Sequence, residues 1–216
     1  MAGVWLLALA AGMVNVLVFL SFQHEGLSHL TGNTSLLGVA IADWDGAGVA
    51  HYAGVIGAFV AGCAITGWVV RDTELSLGWQ EAAVLLGSAL LLFLAPLLLE
   101  QDSLWGLYAA AAACGLQNSI VTSFTGSVVR TTHVSGMFTD LGMFLGRRLR
   151  GVPANSRRLV MSCTVISGFL IGGIGAALAA PGLEYRVLWI PGGICTALAL
   201  ACLVFGRSAL SKDLGC

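Results

Sequence analysis

Two histidines occupy the same chemical setting in this chain. Leu27-Ser28-His29-Leu30-Thr31-Gly32-Asn33-Thr34-Ser35-Leu36-Leu37-Gly38 recurs as Thr131-Thr132-His133-Val134-Ser135-Gly136-Met137-Phe138-Thr139-Asp140-Leu141-Gly142. Imidazoles titrate near neutral pH, so His29 and His133 can accept, donate or relay protons. Thr31, Ser135 and Asn33 add hydroxyl and amide groups that can bond a polar solute. Asp140 adds a carboxylate, and a charge inside an apolar segment is costly enough to imply a partner or a function. That residue set suits solute binding and proton transfer. It does not name a reaction, because no H-E-x-x-H, G-x-S-x-G or paired-carboxylate pattern accompanies it. The sequence therefore gives no reason to expect an enzyme, a metal or a cofactor.

The spacing is constant. His29, Gly32 and Gly38 match His133, Gly136 and Gly142 at a separation of 104 residues, and Thr31 against Ser135 keeps a hydroxyl. Upstream, Gly12-x-x-Asn15 matches Gly115-x-x-Asn118 at 103, with Gln117 beside Asn118. Downstream, Gly57 to Gly62 resembles Ser167 to Gly172 at 110, and Trp79 meets Trp189 at the same separation. The chain reads as a duplication within a single membrane domain over 1–216, with one repeat near 4–100 and the other near 104–206. The copies differ at Asp140, which aligns with Leu36, so an acidic role would be asymmetric.

Composition sets the environment. Of 216 residues, 57% are hydrophobic and only 10% charged, with a mean hydropathy of +0.90; soluble domains carry about a quarter charged residues. This is the composition of an integral membrane protein. Apolar runs of spanning length, about 17 to 25 residues, lie near 4–22, 52–70, 82–99, 104–124, 159–180 and 187–205. All six Trp and all three Tyr fall near the ends of these runs, as an interfacial belt requires. The first run has no basic leader and continues into the repeat, so it is expected to remain as a helix. A net charge of −1 gives no basic surface for a nucleic acid. The six cysteines show no C-x-x-C spacing, and the first five read as small buried fillers.

Arg147, Arg148, Arg150, Arg157 and Arg158 are half of the ten basic residues, and Arg207 and Lys212 follow the last run. By the positive-inside rule these segments face the cytoplasm. Six spans then place 43–45 and 100–102 outside, with Arg71, the N-terminus and the C-terminus inside. Three spans per copy would turn the second copy upside down, the inverted-repeat architecture recurrent in secondary transporters.

The polar elements themselves, near 28–42 and 132–146, are too short to span. Fifteen residues rise about 22 Å against a hydrocarbon core of about 30 Å. Each reads as a half-helix or re-entrant segment, which is tolerated at membrane depth only under protein cover or beside a wet cavity. Were both to span, there would be eight helices and parallel repeats. The glycines of 54–67 and 168–175 form small-residue stripes, read as close helix packing.

At Ser28 to Thr34, at Gly115-Leu116-Gln117-Asn118 and at Arg130 to Gly136, the sequence resembles the YoaK-like family of small bacterial inner-membrane proteins, a domain of unknown function. The resemblance covers nearly the whole chain. It implies a multi-spanning membrane protein of this length and supplies no substrate.

The expected fold is thus all-α, with six transmembrane helices in two inverted repeats, each carrying a short broken helix. The expected function is transport of a small solute, with protons as a candidate coupling ion. The expected site gathers His29, Thr31, Gly32, Asn33, Asn118, His133, Ser135 and Asp140 around one central cavity, supported by Asn15, Gln117 and Arg130. Arg130 and inward half-helix N-termini would favour an anionic or hydrogen-bonding solute. The competing readings are a channel or facilitator, and a protein whose polar motifs only stitch helices together. Beyond the bilayer and a solute, the sequence admits a homo-oligomer without specifying one.

Overall fold

The computed structural model describes residues 1–21, 30–70, 78–125, 131–153 and 155–213, with side chains of 123–125 and 206–213 left aside. Every regular element among them is helical: α1 (Ala2–Ser21), α2 (Leu30–Ala42), α3 (Gly46–Val69), α4 (Trp79–Leu99), α5 (Leu104–Thr125), α6 (Val134–Leu149), α7 (Ser156–Leu183), a 3₁₀ turn (Glu184–Leu188) and α8 (Trp189–Asp213). Helices α1, α3, α4 and the run Ser156–Phe205 are long and apolar enough to cross a membrane. That last run has 50 residues, about 75 Å of helix by its rise, and the 3₁₀ turn divides it into α7 and α8. Helix α5 has 22 residues and carries Gln117 and Asn118, which lower its hydropathy. All six long helices coincide with the apolar runs of the sequence. Helices α2 and α6 have 13 and 16 residues, about 20 and 24 Å, and fall on the repeated polar motif.

The two halves begin their elements at matched positions. Leu30 and Val134 start α2 and α6 at the separation of 104, while Gly46 and Ser156, and Trp79 and Trp189, start α3, α7, α4 and α8 at 110. Local chemistry repeats too. Asp45 caps α3 by accepting from the Ala47 N–H, and Asn155 caps α7 by accepting from the equivalent Arg157 N–H. Within the short helices, the Ser35 hydroxyl donates to the Thr31 carbonyl at 2.9 Å and Thr139 donates to Ser135 at 3.0 Å. Both short helices end in a Schellman turn. Asp45 N–H donates to Ala40 O around Trp44 at φ 55°, and Val152 N–H donates to Arg147 O around Gly151 at φ 68°.

Packing across the halves is reciprocal. A Cβ on Gly12 would lie 2.1 Å from the Phe169 carbonyl oxygen, and one on Gly115 would lie 2.1 Å from that of Phe59. Gly172 approaches the Leu9 carbonyl as Gly62 approaches that of Ala112, at 2.0 and 2.2 Å. In each case both residues of one contact are the repeat equivalents of the other. Helix α1 of the first half thus packs on α7 of the second, and α5 of the second on α3 of the first. The small-residue stripes serve these cross-half contacts. Pairs at 5 and 168, 9 and 172, and at 54 and 108, 62 and 112, show that α1 runs parallel to α7 and α3 parallel to α5. By contrast, Gly192 faces Phe93 while Cys195 faces Ser88, so the equivalent helices α4 and α8 run antiparallel.

These directions sort the charges. The 43–45 turn, the 100–102 turn and the 3₁₀ turn gather at one end, where Arg186 Nε donates to Glu100 Oε1 at 2.8 Å. That hydrogen bond and the carboxylate charge raise the Arg186 pKa further above its ordinary value. The pair is exposed, so its information is positional more than energetic. The opposite end carries the α6–α7 connection with Arg147, Arg148, Arg150, Arg157 and Arg158. An acidic end and a basic end therefore cap the helices.

Candidate functional site

Asn118 organises the second motif. Its Oδ1 accepts from the Thr131 hydroxyl at 2.7 Å and from the Thr132 N–H at 3.2 Å, and its Nδ2 donates to the Thr132 hydroxyl. Thr131 is fully buried and Asn118 nearly so. Helix α5 continues to Thr125, seven residues beyond Asn118, so the segment entering α6 lies about 10 Å back along α5 from its end. Thr131 and Thr132 thus sit back along α5 from its end, and α6 runs out from there to the basic end. Asn118 supplies the groups that satisfy the backbone and hydroxyls of this segment, as buried polar atoms require.

His133 stands at the start of α6, where its carbonyl accepts from the Met137 N–H at 3.3 Å while its side chain makes no capping hydrogen bond. Its ring lies over Gly136: a Cβ there would come 2.6 Å from His133 Cε1 and Nδ1. In the second copy a side chain at 136 would thus force the imidazole one turn earlier to turn away, which gives the H-x-x-G spacing there a steric reading. His133 and Ser135 are exposed and Gly136 is half-buried. With Met137, Thr139 and Asp140 they line an open concavity of about 420 Å³. Along the same face, a second notch joins Asp140 to Met143, Phe144, Arg147, Asn155, Arg158 and Leu159. His133, Asp140 and Arg147 follow one another at seven-residue intervals, about two turns, and so share one face of α6.

In the first half, Asn33 of α2 is buried and has a partner, as does Asn15 of α1. Gly32 is half-buried and Thr31 exposed. His29 and Arg130 lie outside the described residues. Helix α2 packs on α3 and α6 on α7, and among the described residues no contact joins α2 to α6. What the structure gathers around one point is Asn118, Thr131, Thr132 and the start of α6, not the two motifs as one set.

Asp140 is half-buried. It forms no ion pair with a described residue and lines the notch between α6 and α7. Glu81 at the start of α4 is the buried one, 4% exposed, accepting from the Gly78 N–H at 2.8 Å. Its place in a first helical turn, where a carboxylate caps free N–H groups, was the available signal. Gln117 links helices away from the motif. Its Nε2 donates to Ser88 Oγ at 3.0 Å and to Cys195 Sγ at 3.2 Å, joining α4, α5 and α8, while its Oε1 is buried without a hydrogen-bond partner. Cys114, Cys195 and Cys202 are buried as expected, whereas Cys163 is exposed on α7. No described group of three or more His, Cys, Asp or Glu could hold a metal.

A family model described as "Protein of unknown function (DUF1275)" matches residues 3–201, which contain every candidate site residue. The chain belongs to this DUF1275 family. A relative, the UPF0700 transmembrane protein YoaK of Bacillus subtilis (strain 168), is 26% identical over 195 residues, covering 86% of each chain. No solved structure matches. Membership in DUF1275, the likeness to a transmembrane protein and the apolar helices make this a multi-pass helical membrane protein. The DUF1275 match covers both copies of the motif, so each copy is a feature of the matched region.

Proposed function

We propose that this chain carries a small polar or anionic solute across a bacterial inner membrane, using inverted repeats of three spanning helices and one re-entrant helix each. The observation that carries the reading is the position of Thr131 and Thr132, just before α6, on Asn118. Polar backbone returning about 10 Å along a spanning helix needs protein or water around it, and such broken elements hold the substrate in many transporters. The reciprocal glycine contacts support a pseudo-twofold relation between the halves, and the antiparallel α4 and α8 support its inverted sense. The basic end is then cytoplasmic, together with the C-terminus. In this reading His29, Thr31, Gly32, Asn33, Asn118, His133, Ser135 and Asp140 serve the solute, with Asn15, Gln117 and Arg130 in support and Asp140 and the histidines carrying protons. His133 and Asp140, free of described partners and lining the open concavity, are the groups best placed to do so.

One observation favours a second reading. Both functional atoms of the Asn118 amide are taken up by Thr131 and Thr132, as in a residue that only stitches the fold. A thermal-shift screen of the purified protein against anions, metabolites and pH distinguishes the two, because a ligand binding only the folded state raises stability by mass action. Transport requires a ligand whose stabilisation disappears in His133→Ala or Ser135→Ala while the unliganded protein stays folded. If no solute in a broad screen stabilises the protein, and proteoliposomes show no uptake, stitching is the better account.

A further inference from the structure

Between the last turns of α6 and the first turns of α7 lies a notch with two kinds of wall. Arg147 and Arg158 face it from the two helices, with Asn155 and Asp140 beside them, and Met143, Phe144 and Leu159 form its apolar part. The notch holds only about 30 Å³, roughly the room of a single water. That volume rules out a whole solute and admits one oxygen of a larger group lying outside. Asn155 Oδ1 already accepts from the Arg157 and Arg158 N–H groups, so its amide can only donate, beside the charged donors of the two arginines. Arg148, Arg150 and Arg157 add three more positive charges in the same connection, against Asp140 alone within the notch. Met143 in its apolar wall is 52% exposed, and Val160, next to the lining Leu159 on α7, is 51% exposed.

We propose that this notch is a docking site for the head group of an anionic phospholipid, the phosphodiester set between Arg147 and Arg158 and the acyl chains laid on α6 and α7. Charge complementarity selects an anion. The apolar wall and the boundary position select a lipid over a free ion, since basic pockets between helices at the cytoplasmic face recognise lipid phosphate. Bidentate guanidinium contacts suit a phosphate better than the point charge of a lysine would, and the connection contains arginine only. The site stands apart from the transport reading: it would bind lipid whether or not the chain carries a solute.

The test uses the full chain in a neutral detergent, with thermal stability and native mass spectrometry as readouts. Phosphatidylglycerol should raise the melting temperature and remain bound through detergent removal, whereas phosphatidylcholine and inorganic phosphate at equal concentration should do neither. Arg147→Gln with Arg158→Gln should remove at least half of the shift, and Arg148→Gln with Arg150→Gln should leave most of it. Both pairs are exposed, so the variants are expected to fold; Arg147→Gln alone provides the same comparison at smaller amplitude. Equal shifts with the two lipids, an equal shift with inorganic phosphate, or equal losses in the two double variants would each overturn the proposal.

Discussion

The α-carbon of Gly115 faces the backbone carbonyl of Phe59 so closely that a Cβ would sit 2.1 Å from the oxygen. Gly12 meets Phe169 at the same distance in the other half. Backbone cannot move aside as a side chain can, so Gly115→Ala and Gly12→Ala should each destabilise by about 1–3 kcal/mol, the usual range for overpacking. Gly38→Ala and Gly142→Ala provide the control, because nothing lies within 4 Å of the added methyl. These should be neutral or stabilise by about 0.5–1 kcal/mol, the helix preference for alanine. Melting temperatures of the four variants check the contrast, and similar losses in all four would contradict the reciprocal packing.

Asn118→Ala removes the acceptor of two hydrogen bonds and the donor of a third. At about 1 kcal/mol net per bond, with incomplete additivity, the loss should be about 2 kcal/mol. It should be local as well. Hydrogen exchange in 131–140 should accelerate more than in α4 or α8, since the segment entering α6 loses its attachment. Uniform acceleration would mean that Asn118 supports the whole bundle instead.

The His133 ring and Gly136 offer a coupled pair. Gly136→Ala puts a methyl 2.6 Å from the imidazole, so the ring must turn away, which should move the His133 ring resonances in NMR spectra. In His133→Ala the obstacle is gone, and adding Gly136→Ala should then cost nothing or stabilise the helix. A double-mutant cycle of stability measures this directly, with an expected coupling of about 0.5–2 kcal/mol. Additive effects would show that the H-x-x-G spacing has another cause.

Much of this architecture is legible in the sequence because apolar length and repeat spacing report directly on helices. The separations of 104 and 110 anticipate where α6, α7 and α8 begin, and Gly57 to Gly62 against Ser167 to Gly172 marks the surfaces through which the halves pack. Side-chain direction is less legible. The sequence singles out Asp140 and passes over Glu81, yet the rotation of α6 and α4 about their axes leaves the first half-buried and the second covered. Gln117 corresponds to Val14 in the first half, so no repeat signal marks its bonds to Ser88 and Cys195. Those partners come from different helices, and their meeting depends on packing that local patterns do not encode.

Charge segregation gives a topology that labelling can check. Single cysteines at Trp44→Cys and Val152→Cys, in a chain with its own cysteines replaced, should react with an impermeant reagent from opposite sides of the membrane. Gln101→Cys should react from the same side as Trp44→Cys, because the Arg186 to Glu100 pair and the parallel α3 and α5 hold those turns at one end. Labelling at positions 44 and 152 from one side would exclude the inverted arrangement.

Asp140→Asn separates a proton site from a structural charge. The substitution keeps volume and most hydrogen bonding but removes titration. Asp140 has no ion-pair partner among the described residues and is only half-buried, so its loss strands no opposite charge, and stability should change by no more than about 0.5 kcal/mol, as at ordinary surface positions. A buried pair would behave otherwise, since removing one member costs about 3–5 kcal/mol. If Asp140 carries the coupling proton, the variant should bind the solute found by screening with an affinity that no longer varies with pH. In proteoliposomes it should lose uptake driven by a pH gradient while retaining exchange of solute down its own gradient. A large fall in melting temperature would make Asp140 structural. Unchanged pH-driven uptake would remove it from the coupling mechanism and leave His133, two turns earlier on the same face of α6, as the group to test next.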